Sequence, residues 1–360
     1  MQSKLIGTWL LSTSVGVFGL ITLGGYTRLK RAGLSMVDWK PLNVRYPQTQ
    51  EEWAMEFKRY QEFPEYKSSN CDIEEFKEIY FIEYAHRVLA RSMGLYLAVP
   101  MGIFWWGGRF TPAFKPKMLA LLGFFGFQGV LGWWMVKSGL EDKDYEHRVK
   151  VEPVRLTTHL GFGAGLFAYI SYLGFSCFRK SPEEVFNTAE KLKSALKIRT
   201  WLIGSLWMTG ITIIAGALVA GSDAGRVLNN YPWYGDDWVY PKDLLEKQPW
   251  YTNFYENRSM IQFVHRNLAY LTYAKIFLTW RTARLLPLLP PSVRFGINGV
   301  FLLSNLQALL GITTLMRGCP LPESLSHQGN ALLLMAMILF SLSGVRKPPQ
   351  ELITKLLKPA

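Results

Sequence analysis

Eight long apolar stretches constrain the fold of this chain more than any other feature of its sequence. They alternate with charged segments and cover about residues 5–27, 80–107, 118–137, 154–178, 198–221, 261–283, 292–316 and 324–345. A helix of about 20 apolar residues crosses the hydrocarbon core of a bilayer and satisfies its own backbone hydrogen bonds. The sequence therefore predicts an all-α membrane protein with eight transmembrane helices.

The positive charge of the chain is concentrated on one side of these predicted helices. A formal net charge of +13 would also be typical of a nucleic-acid-binding protein. However, the linker 180–197 and the tail 346–360 are basic, whereas the connections on the other side are longer and balanced or slightly acidic. By the positive-inside rule, the linker, the tail and both termini lie inside, and the partner is a lipid bilayer, not nucleic acid. The loops predicted to lie outside are 28–78, 138–153 and 222–260.

An internal repeat divides the chain into residues 1–179 and 198–345. A Glu-x-x-His-Arg motif ending at Arg87 matches a Gln-x-x-His-Arg motif ending at Arg266, 179 residues later. In each copy a glutamine follows the motif histidine after 42 residues, as Gln128 and Gln307. Four helices per copy is an even number, so both copies have the same orientation in the membrane. The repeat therefore predicts two four-helix bundles related by a pseudo-twofold axis along the membrane normal.

Four of the five histidines lie just inside the predicted outer ends of even-numbered helices, as His86, His159, His265 and His327. Ionisable residues inside a membrane are costly and usually mark a function. Two imidazoles at equal depth on neighbouring helices can bind one haem iron from opposite faces. The sequence thus predicts one bis-histidine haem per half, pairing His86 with His159 and His265 with His327. Copper is the alternative metal for these histidines, but no Met-x-x-Met motif or cysteine cluster lies beside them.

The two halves differ three residues before the first histidine, where one has Glu83 and the other Gln262. A carboxylate can accept a proton and an amide cannot, so Glu83 is the candidate general base. The alternative interpretation is a solvated acid at the membrane surface. Arg87 and Arg266 directly follow the motif histidines, and we expect them either to pair with haem propionates or to anchor their helices at lipid headgroups.

The three cysteines, Cys71, Cys177 and Cys319, form no C-x-x-C motif. Thioredoxin chemistry and covalent haem attachment are therefore not indicated. Cys71 and Cys319 both fall on the predicted outer side, where a disulfide could form. We expect unpaired thiols.

The chain resembles haem A synthase of the mitochondrial and proteobacterial type. The resemblance extends over nearly the whole chain. Its motifs are Gly24-Gly25-x-Thr27-Arg28-Leu29, Gly33-Leu34-Ser35-Met36-Val37-Asp38-Trp39, Glu83-x-x-His86-Arg87, the segment 128–140, His159-Leu160-Gly161, Gly221-x-Asp223-Ala224-Gly225, Gln262-Phe263-x-His265-Arg266 and His327-Gln328. Some bacterial members carry a cysteine pair in the first outer loop, where this chain has only Cys71.

This resemblance implies an enzyme that oxidises the C8 methyl group of haem O to a formyl group, giving haem A for cytochrome c oxidase. It implies that His86 and His159 in the half 1–179 bind the substrate haem O, with Glu83 as the catalytic residue. His265 and His327 in the half 198–345 would hold a resident haem B.

The resemblance also implies partners and a location. The partners are the haem O synthase that supplies the substrate, an electron acceptor of unknown identity and cytochrome c oxidase assembly factors. The resemblance leaves open whether the chain forms a homo-oligomer. The implied location is the mitochondrial inner membrane with both termini in the matrix, or the plasma membrane of a bacterium.

Two other classes of protein compete with this interpretation. A bis-histidine b-type cytochrome would transfer electrons without any chemistry on the haem, but it would need no base in one half only. A transporter would also be built from repeats, but it usually has helices broken at the midplane. The predicted helices of this chain are continuous, with their polar groups at the outer ends.

Overall fold

The computed structural model describes residues 2–36, 45–140, 150–235 and 240–357. The motif residues Val37, Asp38 and Trp39 lie outside the described residues, as do most of loop 138–153 and the last three residues of the tail. In the described ranges the regular secondary structure is helical throughout, without a strand. The helices are α1 Lys4–Leu29, α2 Gln50–Gln61, α3 Pro64–Ser69, α4 Ile73–Trp106, α5 Lys115–Lys137, α6 Pro153–Ser176, α7 Pro182–Val185, α8 Ala189–Ser222, α9 Asn253–Glu256, α10 Arg258–Arg284, α11 Pro291–Met316, α12 Leu321–Gly344 and α13 Gln350–Leu357.

A long helix covers each of the eight predicted apolar stretches, and six of these helices are long and apolar enough to cross a membrane. The six are α1, α4, α5, α8, α11 and α12. The all-helical membrane class predicted from the sequence is thereby confirmed, whereas the count of eight spans stays a prediction. Helix α6 packs against four others, α1, α5, α8 and α12. A helix surrounded by protein in this way contacts little lipid and can carry more polar residues.

The long helices make the same pattern of contacts in the two halves of the chain. In the first half, α4 and α6 each contact both α1 and α5. In the second half, α10 and α12 each contact both α8 and α11. The halves meet where α6 packs on α8 and α12, and where α1 packs on α12. Of the four helices that carry the predicted site, α6 and α12 therefore have neighbours in both halves.

Buried hydroxyl groups join the helices within each half. Ser14 of α1 and Ser171 of α6 are hydrogen-bonded at 2.6 Å, and both are buried. Ser205 of α8 and Thr279 of α10 are paired in the same way at 2.8 Å. Apolar burial gives little driving force between helices in lipid, so close packing and such hydrogen bonds, each worth about 0.6–2 kcal/mol, hold the helices together.

The described part of loop 28–78 forms an aromatic layer on the first turns of α4. Helix α2 begins with a capping box between Thr49 and Glu52. Its Tyr60 is almost fully buried and lies 4.9 Å from Phe76 of α4, ring centroid to ring centroid. Trp53 of α2 belongs to the same cluster. This part of the loop is a folded layer with its own apolar core, just above the predicted site.

All three cysteines are free thiols, as expected from the sequence.

Candidate functional site

The four predicted histidines lie on α4, α6, α10 and α12, one per helix and near the first turns of α6, α10 and α12. His86 and His159 are close enough to interact electrostatically, and so are His265 and His327. All four side chains are half-buried. The structure therefore brings together the same pairs that the sequence predicted.

A glycine of the neighbouring helix lies against the ring of each histidine. The pairs are Gly24 with His86, Gly132 with His159, Gly216 with His265 and Gly311 with His327; an added Cβ would lie 3.3, 3.1, 2.9 and 2.9 Å from the ring Cε1 atom. A Cβ atom is hardly ever found closer than about 3.0 Å to another atom, because interiors are close-packed and such overlap is strongly repulsive. Glycine is therefore required by close approach at Gly216 and Gly311, whereas at Gly24 and Gly132 an added Cβ would be in tight contact with the ring.

Gly24 and Gly132 belong to the sequence motifs given above, but the motifs do not indicate a contact with a histidine. A signal was present, because Gly24 and Gly216 are separated by 192 residues and Gly132 and Gly311 by 179. Each separation links equivalent helices of the two halves. The same glycine–histidine contact occurs four times, which indicates that the fold maintains the orientation of the imidazole rings.

Three of the four imidazoles lack a hydrogen-bond partner for a buried nitrogen. Nδ1 of His86, His159 and His265 is buried and makes no hydrogen bond in the described residues. The backbone of Gln128 lies beside the His159 ring and that of Thr212 beside the His265 ring, but neither contact has hydrogen-bond geometry. An unsatisfied buried polar atom is unfavourable by about 1–3 kcal/mol, so these rings fit a site completed by a bound group.

His327 differs from the other three because a glutamine contacts its ring. Nε2 of Gln307 lies 3.1 Å from Nδ1 and 3.3 Å from Nε2 of His327. Asn330 holds this glutamine by donating a 2.7 Å hydrogen bond to its Oε1 atom. In the first half Gln128 donates only to the backbone oxygen of His159, at 2.9 Å.

The carboxylate of Glu83 is buried and accepts hydrogen bonds on both oxygens. The Ser35 hydroxyl and the Met36 backbone N–H donate to Oε2 at 2.7 and 3.0 Å. The Arg87 guanidinium pairs with Oε1 at 2.6 Å. Glu83 is 4% exposed, which excludes the solvated surface acid that the sequence left open. The segment that follows α1 thus returns to α4 and closes over the carboxylate.

Gln262 occupies the equivalent place with the opposite hydrogen-bonding role. It is buried, and its Nε2 donates to the backbone oxygens of Ala224, at 2.9 Å, and Val227. Its Oε1 accepts a long, 3.4 Å hydrogen bond from Arg266. Val227 and Ser35 are separated by 192 residues, so equivalent segments contact the two side chains.

The two predicted propionate-binding arginines are both held by protein acceptors. Arg87 donates to Glu83 and, at 2.8 Å, to the backbone oxygen of Met36. Arg266 donates to the backbone oxygen of Pro232 at 2.9 Å, and its guanidinium lies 3.9 Å from the Tyr234 ring centroid. The buried Nε atom of Arg266 makes no hydrogen bond in the described residues.

An ionic cluster joins the two halves at the C-terminal ends of α1 and α8. Arg28 and Lys150 contact the two carboxylate oxygens of Asp223 at 3.1 and 3.0 Å. Burial favours a raised pKa for Asp223, but the charges of Arg28 and Lys150 outweigh it and hold the pKa below its usual value. Asp223 and Arg31, 192 residues apart, both adopt a left-handed backbone, with φ values of 57° and 55°. The repeat therefore extends to the backbone of this turn.

Comparison with known proteins identifies the family. The model of the COX15-CtaA family, described as cytochrome oxidase assembly protein, matches residues 7–339. The chain belongs to the COX15-CtaA family. Heme A synthase COX15 of Bos taurus is 38% identical over 351 residues, covering 96% of this chain and 83% of the relative. Heme A synthase COX15 of Saccharomyces cerevisiae is 33% identical, with 96% and 76% covered, and Heme A synthase of Agrobacterium fabrum is 37% identical, with 92% and 88% covered.

The COX15-CtaA match spans both halves of the chain. It includes all seven predicted site residues, which are Glu83, His86, Arg87, His159, His265, Arg266 and His327. The resemblance to haem A synthases recognised from the motifs is thereby confirmed, and it rests on more than the residues around the histidines.

Proposed function

We propose that this chain is a haem A synthase, a membrane-bound oxidoreductase that converts the C8 methyl group of haem O to the formyl group of haem A. Relatives that carry this name match at least 91% of the chain, in eukaryotes and in bacteria. The observation that supports a site for this activity is the buried carboxylate of Glu83, which lies one helical turn from His86. The haem A formed would serve cytochrome c oxidase, with which the family name is associated.

We propose that all eight long helices span the membrane as two four-helix bundles related by a pseudo-twofold axis. The equivalent helix contacts and the four glycine–histidine pairs support this arrangement. Both termini would then lie on the basic side, in the mitochondrial matrix or the bacterial cytoplasm. Haem O synthase, oxidase assembly factors and a further copy of the chain remain proposed partners.

The histidine pairs are proposed to bind haem iron. His86 and His159 would bind haem O as substrate, and His265 and His327 would hold haem B as a resident cofactor. The orphaned ring nitrogens and the glycine contacts support both assignments. When bound, haem B would supply one-electron redox chemistry. Arg87 and Arg266 remain candidates for the propionates, and the unpartnered Nε of Arg266 supports this for the second half.

Conversion of a methyl to a formyl group requires one water and releases four protons and four electrons. An acceptor outside the chain takes the electrons. Glu83 is proposed to accept a proton, either from the methyl group or from the water that provides the oxygen. All three of its contacts are donors, so the side chain is held as an acceptor. Ser35 and Arg87 orient it, and the segment that ends at Met36 covers it and limits the access of other water.

The decisive experiment replaces Glu83 with glutamine and measures the haems extracted from the purified protein. We expect haem O and haem B to remain bound while haem A falls by about 100-fold or more, the usual range for a general base. The matched control is Glu78→Gln on the same helix, because Glu78 is exposed and forms its ion pair with Lys30 at the surface. A normal yield of haem A from Glu83→Gln excludes the catalytic role. Haem B as the only pigment of the unmodified protein would favour an electron-transfer cytochrome instead.

A further inference from the structure

A cavity of about 190 Å³ lies at the end of α6 and α12 opposite to the histidines. It is lined by the segment after α6, by α7, by the start of α11 and by the end of α12. Its volume is about six times the share of one molecule in liquid water, so it can hold a group much larger than a single water. Neither the histidine sites nor Glu83 border it.

Three cationic side chains line this cavity, Arg179, Lys180 and Arg346. Arg179 donates to Ser343 Oγ and to the Phe340 backbone oxygen at 3.0 and 2.9 Å. Arg346 donates to the backbone oxygen of Arg179 at 3.3 Å. Both guanidinium groups are therefore fixed in place, and little conformational entropy remains to be lost when a ligand binds.

The positive charge of this group is not balanced by the protein. None of the three pairs with a carboxylate in the part of the chain that the structure describes. The ends of α6 and α12 contribute about −0.5 charge each, which leaves about two positive charges uncompensated. Glu183 and Glu184 of α7 are exposed and do not line the cavity, and Glu184 is held by the Ser181 hydroxyl. An anion of one or two charges would complete the site.

We propose that the cavity binds the phosphate group of an anionic phospholipid. Phosphate suits planar guanidinium donors. The source is a lipid, not a free phosphate, because the cavity also has apolar walls, including Phe178 and Phe186, and lies on the side predicted to be the inner membrane surface. Since the cavity is lined by the segment after α6 of one half and by α11 and α12 of the other, the bound lipid stabilises the contact between the halves.

The test measures the thermal stability of the purified holoprotein in neutral detergent. The additives are phosphatidylglycerol, phosphatidylcholine or inorganic phosphate. We expect phosphatidylglycerol to raise the melting temperature by about 5 °C, the size expected for a ligand near saturation, and the other two to change it little. An equal rise with phosphatidylcholine would overturn the requirement for an anion. An equal rise with inorganic phosphate would overturn the assignment to a lipid.

Three variants test whether phosphatidylglycerol acts in this cavity. Ser292→Trp fills the cavity without changing any charge and should abolish the rise in melting temperature. Lys180→Gln, at an exposed side chain, should weaken phosphatidylglycerol binding by about threefold to tenfold. The control, Arg281→Gln with Arg284→Gln, removes two charges from the last turn of α10, outside the cavity, and should leave the rise unchanged. Haem content reports correct folding of each variant. A full rise in Ser292→Trp, or its loss in the control, contradicts the proposal.

Discussion

The two halves of this membrane protein place the same architecture around Glu83 and Gln262 but reverse the direction of the hydrogen bonds. In the first half, Ser35 and Met36 donate to a carboxylate. In the second half, the equivalent segment offers backbone oxygens to an amide. The exchange of a carboxylate for an amide is thus accompanied by an exchange of hydrogen-bond donors for acceptors around it. The comparison teaches that the two surroundings are not interchangeable, because a carboxylate at position 262 would face the backbone oxygens of Ala224 and Val227.

The largest difference in stability is expected between the two motif arginines. Arg87→Gln removes the ion-pair partner of the buried Glu83 and should destabilise the protein by about 3–5 kcal/mol. Arg266→Gln removes a donor from neutral acceptors and should destabilise it by about 1–3 kcal/mol. Denaturant titration of both variants measures the difference. If the carboxylate is the cause, Glu83→Gln introduced beside Arg87→Gln recovers part of the loss, and equal losses in the two halves would contradict the comparison.

Alanine substitutions of the glycines opposite the histidines should lower haem binding more in the second half than in the first. Alanine at Gly216 or Gly311 places a Cβ at 2.9 Å from a ring and should lower haem B binding by about tenfold, since overpacking usually amounts to 1–3 kcal/mol. Alanine at Gly24, with 3.3 Å, should lower haem O binding by about twofold or less. Quantified extraction of each haem checks this. Gly210→Ala on α8 is the control, because nothing lies within 4 Å of its added Cβ.

The sequence predicted the helices better than their ends. Apolar length located all eight long helices, but α8 begins at Ala189, nine residues before the predicted start at 198. The Thr188 side chain caps α8, and its first turns are amphipathic, so they continue the helix beyond the apolar stretch. Hydropathy detects the membrane-crossing part of a helix and misses the polar turns that extend from it.

The site was predictable where the internal repeat or a helical spacing relates its residues. The histidine pairs followed from the repeat, and the Glu83–Arg87 pair could have been found from its spacing of four residues on a helix. The contacts of Glu83 with Ser35 and Met36 could not, because they depend on how the segment after α1 folds back onto α4 over a separation of 47 or 48 residues.

A smaller effect is expected from the hydroxyl that orients Glu83. Ser35→Ala removes one donor from the carboxylate, an effect of about 1 kcal/mol, and should slow haem A formation by about fivefold without changing haem content. Ser35→Thr keeps the hydroxyl and should restore most of the rate. In the second half the equivalent Val227 contributes only its backbone oxygen, so Val227→Ala should have no effect. Unchanged turnover in Ser35→Ala, measured across pH, would show that the hydroxyl is only structural.

The smallest expected effect comes from Asp223, the residue that joins the halves. Its pKa is lowered in the folded protein, so its contribution to stability is present above the unfolded-state pKa of about 3.8 and is lost as pH falls through the folded value. The side chains of Arg28 and Asp223 are 14% and 22% exposed, so solvent screening limits this contribution to about 1 kcal/mol or less. Asp223→Asn should therefore lower stability at neutral pH, with the difference disappearing in acid. Arg31→Gln, at the equivalent position of the first half, removes a weaker charge that also lowers the pKa of Asp223, so it should show the same pH dependence with a smaller size. A stability difference for Asp223→Asn that persists at low pH would contradict the ionic explanation, because asparagine adopts the left-handed backbone of this turn as readily as aspartate.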